Sequence, residues 1–430
     1  MPSIPSTLAV ALISAGLVSS QAAPAPPAQF TAAPNPAGRG GSSFKDSPHF
    51  RVYGAPDDTA TQAISQLEAA YSCFIDTLGW RSTGLSFNDA QNDGPWYKTG
   101  VYQVNELGGA AGAMSSDGKT GLGYLNALPE YIDNAGVMVH EFGHVMTYHE
   151  QTWVSQGNTG AWWETVANFV ADTYQTSPLC AAARRANNQP DSTTTNINLD
   201  KLISNSFRVL VDGSQGTGNY YEAWPFLTYL TNNPDAFPRL GNDTMRQLFR
   251  QYREDSNETP LHVLERVAGA DTSLQRIVGR YWARMAFVDI GHPAAAKVFE
   301  QRRSRLNYAN VDPAGANTWR VKSDRRPFYM GANIVPLKNP QGKVDVRVQT
   351  VAPGKMTAAL AVKGGQGTRY VDLVGSVGDA SASVDVAQGE EVMLVVANTP
   401  EVLVYDGFKL PGSQALWGLD WSVTVTGATA

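Results

Sequence analysis

The chain has 430 residues, of which 43% are hydrophobic and 17% are charged, and its formal net charge is −6. This composition is typical of a folded protein with more than one hydrophobic core, and it excludes a disordered, collagen-like or coiled-coil chain. Because 33 basic residues stand against 39 acidic ones, no basic surplus is left to follow a phosphate backbone, and we expect no nucleic-acid partner.

The first segment has the features of a secretion signal. An apolar run over residues 8–20 ends at Ser20, and Ser20 and Ala22 are small residues at the −3 and −1 positions of a cleavage site. The run is too short to cross a bilayer, so we expect a signal peptide over residues 1–22, a secreted protein and no membrane partner. A buried N-terminal strand is the alternative. Residues 23–46 are rich in Ala, Pro and Gly and predict a flexible linker or pro-segment.

Secretion also bears on the two cysteines. An oxidising compartment favours a disulfide between Cys73 and Cys180, although two free buried thiols are the alternative. Asn242 and Asn257 each begin an Asn-X-Thr sequon, which predicts N-glycosylation at both positions.

Strand and helix patterns alternate after the linker. Three strands are predicted, over residues 49–54, 97–104 and 121–128. Three helices are predicted, over residues 61–78, 134–148 and 162–174. These elements predict an α+β unit over residues 47–190.

A helical stretch follows, and then the apolar period changes. Residues 202–308 are mostly helical in pattern, with Thr259-Pro260 as the start of one helix, and they predict a helical unit over residues 191–325. After a connecting stretch, seven short strands with a period of two are predicted, over residues 343–351, 357–362, 370–374, 382–386, 391–397, 402–405 and 421–425. Their number and spacing predict a β-sandwich over residues 340–430, which could bind a glycan or a protein.

The chemistry is concentrated in the predicted helix over residues 134–148. His140, Glu141 and His144 form an H-E-x-x-H motif. On a helix this spacing places two imidazoles on one face, where both can bind one zinc ion, with the glutamate beside them.

Zinc needs a third protein ligand. His149 lies about 140° further round an ideal helix than His144, so it faces away from the metal, and we expect it to be a cation at the helix C-terminus. Glu150 has the same problem of direction. Glu164 opens the next apolar helix after a loop that contains glycine, so it is the candidate ligand. The alternative for Glu164 is an exposed first-turn residue stabilised by the helix dipole.

The order of these features is similar to that of the gluzincin metallopeptidases, in which an H-E-x-x-H motif is followed by a loop and by a Glu on the next helix. The spacing from His144 to Glu164 is like that of thermolysin. The similarity covers residues 100–180, and the whole arrangement also resembles uncharacterised secreted gluzincin-like proteins of fungi and bacteria. The resemblance implies that His140, His144 and Glu164 hold Zn²⁺ and that Glu141 is the general base. Three ligands of this kind leave a fourth position for a water whose pKa zinc lowers to about 7.

Two residues on the second helix could orient a metal-bound histidine. Asn168 and Asp172 follow Glu164 by one and two turns, so either could accept the free N–H of such a histidine. Thermolysin-like enzymes carry Asp where Asn168 stands, but an amide oxygen can also accept.

An oxyanion donor is expected from the helical unit. Tyr220 and Tyr221 stand about where several gluzincins place a catalytic Tyr, and we favour Tyr221 because a phenol O–H can stabilise developing negative charge. The alternative is a core aromatic cluster with Trp224 and Phe226. His262, just inside the Thr-Pro helix start, is expected to be structural.

The segment before the metal helix bears on the substrate. Residues 112–116 resemble the start of the G-A-M-E-N strand of gluzincin aminopeptidases, but Ser115 replaces the Glu that would bind a free amino terminus. We therefore expect an endopeptidase. Residues 111–128 would supply the edge strand against which an extended peptide pairs.

The predicted architecture is α+β, with a zincin-like metal-binding unit, a helical second unit and a C-terminal β-sandwich. The predicted function is that of a secreted zinc-dependent hydrolase, an endopeptidase acting on a protein or peptide substrate. One alternative is a catalytically weak gluzincin-like protein that binds cell-wall glycan or protein, although the intact Glu141 argues against it. Another is a non-peptidase zinc hydrolase.

Overall fold

The computed structural model describes residues 26–33, 40–116, 118–152, 160–192, 194–214, 217, 219–256, 258–351 and 354–430. The predicted signal peptide over residues 1–22 and the predicted glycosylation site Asn257 lie outside these ranges.

Eleven α-helices occur in the described residues. They are α1 (Asp57–Tyr71), α2 (Ala135–His149), α3 (Trp163–Thr176), α4 (Ala181–Ala186), α5 (Leu199–Leu202), α6 (Asn219–Glu222), α7 (Trp224–Asn232), α8 (Thr244–Gln251), α9 (Pro260–Ala268), α10 (Leu274–Met285) and α11 (Pro293–Arg302).

Fifteen β-strands occur in the same residues. They are β1 (Phe44–Asp46), β2 (Phe50–Tyr53), β3 (Thr99–Gln103), β4 (Gly112–Ser116), β5 (Gly123–Ala127), β6 (Val311–Gly315), β7 (Thr318–Val321), β8 (Ala332–Leu337), β9 (Gly342–Thr350), β10 (Met356–Gly364), β11 (Gly367–Asp372), β12 (Val374–Ser376), β13 (Asp379–Val386), β14 (Glu391–Asn398) and β15 (Trp421–Thr426).

The first unit is a five-stranded mixed sheet with helices packed on it. Its strand order is β1-β2-β3-β5-β4, in which β2, β3 and β5 are parallel and both outer strands are antiparallel to their neighbours. Apolar side chains of the central strands are fully buried beneath α1 and α2, among them Phe50, Val101 and Leu125. The α+β prediction for this part of the chain is confirmed, and β4 is an edge strand beside α2.

The segment over residues 23–46 is not wholly a flexible linker. Phe30 is only 3% exposed, and its ring packs edge-on against the rings of His49 and Tyr71. Further along, β1 pairs with β2. The prediction is wrong for these residues because one aromatic side chain can anchor a segment whose average composition is too poor in apolar residues to form a core.

The predicted disulfide is present. A π-helical turn over Ser72–Thr77 continues α1 and carries Cys73, and Cys180 ends the short turn that follows α3. The two cysteines are bonded, with their Cα atoms 5.0 Å apart. The bond therefore ties the end of α1 to the chain just after α3.

The second unit consists of helices, as predicted. It runs from α5 to α11, and its core of Trp224, Phe226 and Tyr281 is continuous with the core of the first unit. Pro260 occupies the first turn of α9, where a missing backbone N–H breaks no helical hydrogen bond.

The C-terminal unit is a sandwich of two antiparallel sheets. One sheet has the order β11-β10-β14-β8 and the other β12-β13-β9-β15-β7-β6. Their facing side chains form one apolar core, which includes Val346, Leu360, Leu394 and Trp421. The predicted β-sandwich is confirmed.

The sandwich begins earlier in the chain than the boundary predicted at residues 325–340. Strands β6 and β7 precede that boundary, and β7 pairs with β15. The sequence of β6, Val-Asp-Pro-Ala-Gly, is mostly exposed, so it carries no alternating apolar pattern that could predict a strand.

Residues 402–405 were predicted to be a strand, and this prediction is wrong. The segment pairs with no strand. Instead, the backbone N–H of Leu403 donates to the Tyr329 hydroxyl at 3.0 Å, and the Tyr405 hydroxyl donates to the carbonyl of Val211 at 2.6 Å. The apolar residues of this segment therefore attach the sandwich to the preceding units.

None of the helices in the described part of the chain has the length and hydropathy that a membrane span requires.

Candidate metal centre

Helix α2 brings the two histidines of the motif onto one face. The side chain of Asn134 caps the helix by accepting the N–H of Val137 at 3.2 Å. The body of the helix is apolar and packs on β4, β5 and α3, which holds its orientation. The rings of His140 and His144 lie 4.9 Å apart, centroid to centroid, at 86° to one another.

A glycine lets the second helix approach closely. A Cβ atom on Gly143 would lie 2.9 Å from the Cα atom of Ala167 in α3, which is closer than real Cβ contacts allow. Because Gly143 has no side chain, α3 packs directly on α2 and its first turn reaches the two histidines. Glu164 occupies that turn.

The three predicted ligands converge as a group. The Oε2 atom of Glu164 lies 3.1 Å from Nε2 of His140 and 3.3 Å from Nε2 of His144. One ligand atom from each residue lies within 4.8 Å of the others. Two ligands bound tetrahedrally to one zinc ion, at bond lengths of about 2.0–2.1 Å, are about 3.3 Å apart, so this donor set fits zinc.

Contacts within the cluster shift the pKa values of Glu164 and His140. Burial alone would raise the pKa of Glu164, but the hydrogen bonds from His140 and His144 lower it to about 2. Burial opposes charge on His140, yet the neighbouring Glu164 and Glu141 raise its pKa. The cluster therefore combines an ionised carboxylate with two imidazole nitrogens, which are the donor types that zinc prefers.

Asn168 orients His140. The sequence had predicted this role for either Asn168 or Asp172. The side-chain amide of Asn168 donates to the carbonyl of Tyr221 at 2.8 Å, so its oxygen is left to accept from Nδ1 of His140, also at 2.8 Å. This places a proton of His140 on Nδ1, so Nε2, which faces Glu164, is the nitrogen that would bind a metal ion.

Asp172 does not take part in the centre, so its predicted orienting role is wrong. One carboxylate oxygen lies 2.6 Å from Nε2 of His292, and the other accepts the Thr195 hydroxyl at 2.6 Å. Asp172 is two turns beyond Glu164, so it lies beyond the two histidines and beside α11.

In the described part of the chain, the second histidine of the motif has no such orienting partner. Among the described residues, Nδ1 of His144 is buried without a hydrogen-bond partner.

Glu141 lies beside the ligands and against the edge strand. It is 8% exposed, and burial raises its pKa, while the neighbouring His140 and His144 partly offset that effect. A Cβ on Gly112 would lie 2.8 Å from Cγ of Glu141, so the glycine allows the strand to lie against this side chain.

Tyr220 and Tyr221 lie at the same cavity. Helix α3 holds their backbone, because the Thr165 hydroxyl donates to the carbonyl of Tyr220 at 2.6 Å and Asn168 donates to that of Tyr221. Tyr221 is 39% exposed, so it is not part of a core aromatic cluster, and burial together with the negative charge of Glu164 raises its pKa.

The cavity at the centre has a volume of about 470 Å³. Its described lining includes the three ligands, Glu141, both tyrosines, residues of β4, Trp163 and Phe408. Phe408 belongs to the C-terminal unit and was not expected at the site, since no sequence pattern links it to residues more than two hundred positions away. A larger cavity of about 890 Å³ lies at the far end of α2, beside Glu150.

His149 faces away from the centre, as expected, but it is not a cation. It is fully buried, and its Nε2 atom accepts the N–H of Gly123 at 3.0 Å, so the proton sits on Nδ1 and is donated to the carbonyl of Leu85 at 2.6 Å. Burial lowers its pKa to about 3. The prediction of a helix-end cation is wrong because both ring nitrogens are taken up by neutral backbone groups.

The remaining predicted residues lie away from the centre. His262 is structural, as expected, since it and Thr259 form a reciprocal cap at the start of α9. Asn242 is exposed at the surface.

Comparisons with known proteins give a family and two weak structural likenesses. A family model described as "Family of unknown function (DUF6055)" matches residues 55–426. No curated protein sequence matches the chain significantly. A pre-peptidase C-terminal domain of a collagenase from Bacillus anthracis is 14% identical, with 27% of this chain and 98% of that one covered and a TM-score of 0.17. A CBM35 from Cellvibrio japonicus is 18% identical, with 23% and 70% covered and a TM-score of 0.14. At these TM-scores neither likeness supports an inference about this chain.

Proposed function

We propose a function for this chain from its metal centre, because the chain belongs to the DUF6055 family, which is a family of unknown function. The function that the centre supports best is that of a zinc-dependent hydrolase, with internal peptide bonds as its substrate. This keeps the resemblance to the gluzincin metallopeptidases as part of the proposal.

One observation carries the proposal. His140, His144 and Glu164 come together with Glu141 in a single open cavity. A structural zinc site has four protein ligands, whereas the described residues supply three, which is the number found in catalytic zinc sites. Zinc bound there would act as a Lewis acid and would lower the pKa of a water molecule.

The residues of the chain have separable tasks in this proposal. Glu141 would take a proton from the attacking water, since its carboxylate lies at the cavity beside both histidines. The hydroxyl of Tyr221 would donate to the negative charge that develops on the carbonyl oxygen. Asn168 would hold His140 in the tautomer that binds metal.

The edge strand favours an extended peptide as substrate. The N–H of Leu128 donates to the carbonyl of Ala111, so the alternating pattern of an antiparallel pair points the backbone groups of Gly112 and Met114 away from β5. A peptide could pair with these groups as an added strand. Ser115 offers no carboxylate for a free amino terminus, so we propose cleavage within a chain.

We also propose that the protein is secreted. The sequence of residues 1–22 resembles a signal peptide, and a disulfide is more stable in an oxidising compartment.

A binding role for the β-sandwich is a second candidate. Trp417 is 68% exposed at its surface, beside a cavity of about 640 Å³. Exposed aromatic side chains of this kind mark surfaces for a glycan or a protein partner. The two roles are compatible in one molecule.

Metal analysis and one substitution test the hydrolase proposal. We expect about one zinc per chain, and we expect Glu164→Gln to lose most of it because one of three ligands is weakened. The Glu141→Gln variant should keep the zinc but cleave a mixed peptide library about 10²–10⁴-fold more slowly, because only the base is removed. The His262→Gln variant changes a histidine outside the centre and serves as control.

The outcomes separate the hypotheses. A protein that binds no zinc contradicts the metal centre. Bound zinc with identical cleavage by the wild type and Glu141→Gln contradicts the hydrolase. Activity on ester or amide substrates but not on peptides, lost in Glu141→Gln, would identify a non-peptidase hydrolase.

A further inference from the structure

The C-terminal unit supplies a side chain to the metal cavity. Phe408 follows the segment that attaches the sandwich to the other units, and it lines the same cavity as His140, Glu141 and Glu164. Its side chain is 41% exposed, which is unusual for a phenylalanine and leaves part of the ring open to a ligand.

The position of Phe408 is held from both sides. On the chain before it, the buried Tyr405 hydroxyl donates to the carbonyl of Val211, and the N–H of Gly213 donates to the carbonyl of Gly407 at 2.7 Å. The ring itself lies over Gly213, where a Cβ would come within 2.8 Å of it. The ring therefore has a defined place at the cavity wall.

Beyond the centre itself, the described wall of the cavity is uncharged and includes the rings of Trp163, Tyr220, Tyr221 and Phe408. Apart from the three ligands and Glu141, the described residues that line it carry no charge. Trp163 lies near the ligands, with its ring centroid 5.8 Å from that of His144. An acidic substrate side chain would lose its hydration here without meeting a Lys or Arg among the described lining residues, whereas an apolar one would gain contact.

We propose that Phe408 is a specificity-determining residue, through which the β-sandwich selects peptides with a large apolar side chain next to the scissile bond. The inference rests on the proposed peptidase function, because it takes a peptide as the substrate. Its test does not need peptidase activity, because peptide binding can be measured without cleavage. A side chain that contacts Phe408 contributes to peptide binding whether or not the peptide is then cleaved.

The experiment compares two peptides that differ at one position, Leu or Asp, next to the scissile bond identified in a peptide library. The cleavage efficiency of each is measured for the full-length wild type and for Phe408→Ala. Binding of the same peptides is measured by calorimetry on the Glu141→Gln protein with and without Phe408→Ala. If a cleavage site is not found, the binding arm uses library peptides of each type.

We expect the wild type to prefer the Leu peptide, and we expect Phe408→Ala to lower the Leu-to-Asp ratio about tenfold in both measurements, as the loss of one apolar contact does. Phe408→Leu should restore most of the ratio. Val404→Ala is the matched control, because Val404 is 64% exposed in the same segment but does not line the cavity. Thermal unfolding of each variant shows that the fold is kept.

Each outcome decides between the two proposals. Cleavage by the wild type with an unchanged ratio in Phe408→Ala overturns the role of Phe408 and leaves the peptidase standing. A changed binding ratio without cleavage supports Phe408 and contradicts the peptidase. Absence of both peptide binding and cleavage overturns both.

Discussion

Three histidines of α2 have different chemical environments although they lie within three turns of one helix. His140 and His144 face Glu164, whereas His149 points to the other side and exchanges hydrogen bonds with the backbone of Gly123 and Leu85. Residue type alone cannot separate these roles. The direction of the side chain on the helix decides between a ligand and a neutral core residue.

The buried His149 predicts a loss of stability in acid. Its pKa is about 3 in the folded state because burial, aided by the charge of Arg81, disfavours the imidazolium, against an ordinary value of 6.5. The unfolded chain therefore takes up a proton below pH 6.5 that the folded chain does not. This contribution to the free energy of unfolding is complete above pH 6.5 and falls by about 2 kcal/mol between pH 7 and pH 5.

The measurement is urea unfolding of the wild type and of His149→Gln at both pH values. Glutamine can still donate to Leu85 but does not titrate, so the stability difference between the two proteins should shrink by about 2 kcal/mol at pH 5. A difference that stays constant with pH would show that His149 is not neutral in the folded state.

Asn168 and Asp172 are one helical turn apart in α3, and their side chains contact different histidines. Both lie on the face of α3 that carries Glu164, but only Asn168 is level with His140. Asp172 meets the N-cap residue of α11, His292, whose position depends on chain far from α3. Helical geometry limits the candidates to two, and the packing of a distant helix decides between them.

At the scale of elements, glycines set how closely the parts of the centre approach. Gly143 lies between α2 and α3, and Gly112 lies between β4 and α2. At Gly143 a side chain would meet the backbone of Ala167, and at Gly112 it would meet the side chain of Glu141. The distance between the two helices therefore determines whether Glu164 reaches the histidines.

The Gly143→Ala variant tests this contact. Helix propensity alone would make alanine more stable by about 1 kcal/mol, but the added methyl group meets the backbone of Ala167 at 2.9 Å, and overpacking of this kind costs about 1–3 kcal/mol. We expect a lower free energy of unfolding and a lower zinc content, measured by denaturant titration and metal analysis.

Gly136→Ala on the same helix is the matched control. Its added methyl group would meet only the side chains of Asn134 and Gln175, so it should keep the zinc and lose little stability. Equal zinc content in Gly143→Ala and the wild type would contradict the role given to the helix contact.

The strands of the sandwich differ according to what covers them. In β9 buried and exposed residues alternate, because one face meets the core and the other meets solvent. In β10 five consecutive residues are buried, because its other face packs on α10. Gly279 of α10 lies against Thr357 with no room for a side chain, so helix and sheet are in close contact.

At the scale of the whole molecule, the disulfide closes a large loop that contains the two helices of the candidate metal centre. Cys73 and Cys180 are 107 positions apart, and α2 and α3 lie between them. In the chain-entropy model a loop of this size stabilises the folded state by roughly 4–5 kcal/mol, because it restricts the unfolded chain.

The double variant Cys73→Ser/Cys180→Ser should therefore lose roughly 4–5 kcal/mol of unfolding free energy in denaturant titration. Adding a reductant to the unfolded wild type should give a similar loss and should leave the double variant unchanged. A wild type that is equally stable with and without reductant would contradict the contribution of the bond.

All three units contribute to the metal cavity. The proposed metal ligands come from the first unit, Tyr220 and Tyr221 come from the helical unit, and Phe408 follows the segment that attaches the sandwich. The hydrogen bonds of Tyr405 and Gly213 join the last two of these groups. The sandwich is therefore part of the cavity wall and is not only an appended module.

Local periodicity was enough to predict α2, α3 and most of the sandwich strands, since a helix or a half-buried strand repeats its burial every few residues. The spacing of His140 and His144 was equally local. Glu164 was predicted as the third ligand from its place at the start of the next helix, but its distance from the histidines depended on tertiary structure. So did the separation of Asn168 from Asp172, the neutral state of His149 and the place of Phe408. Each of these features depends on contacts with residues that are distant in the sequence. Close packing determines those contacts, and they produce no periodic pattern in the sequence.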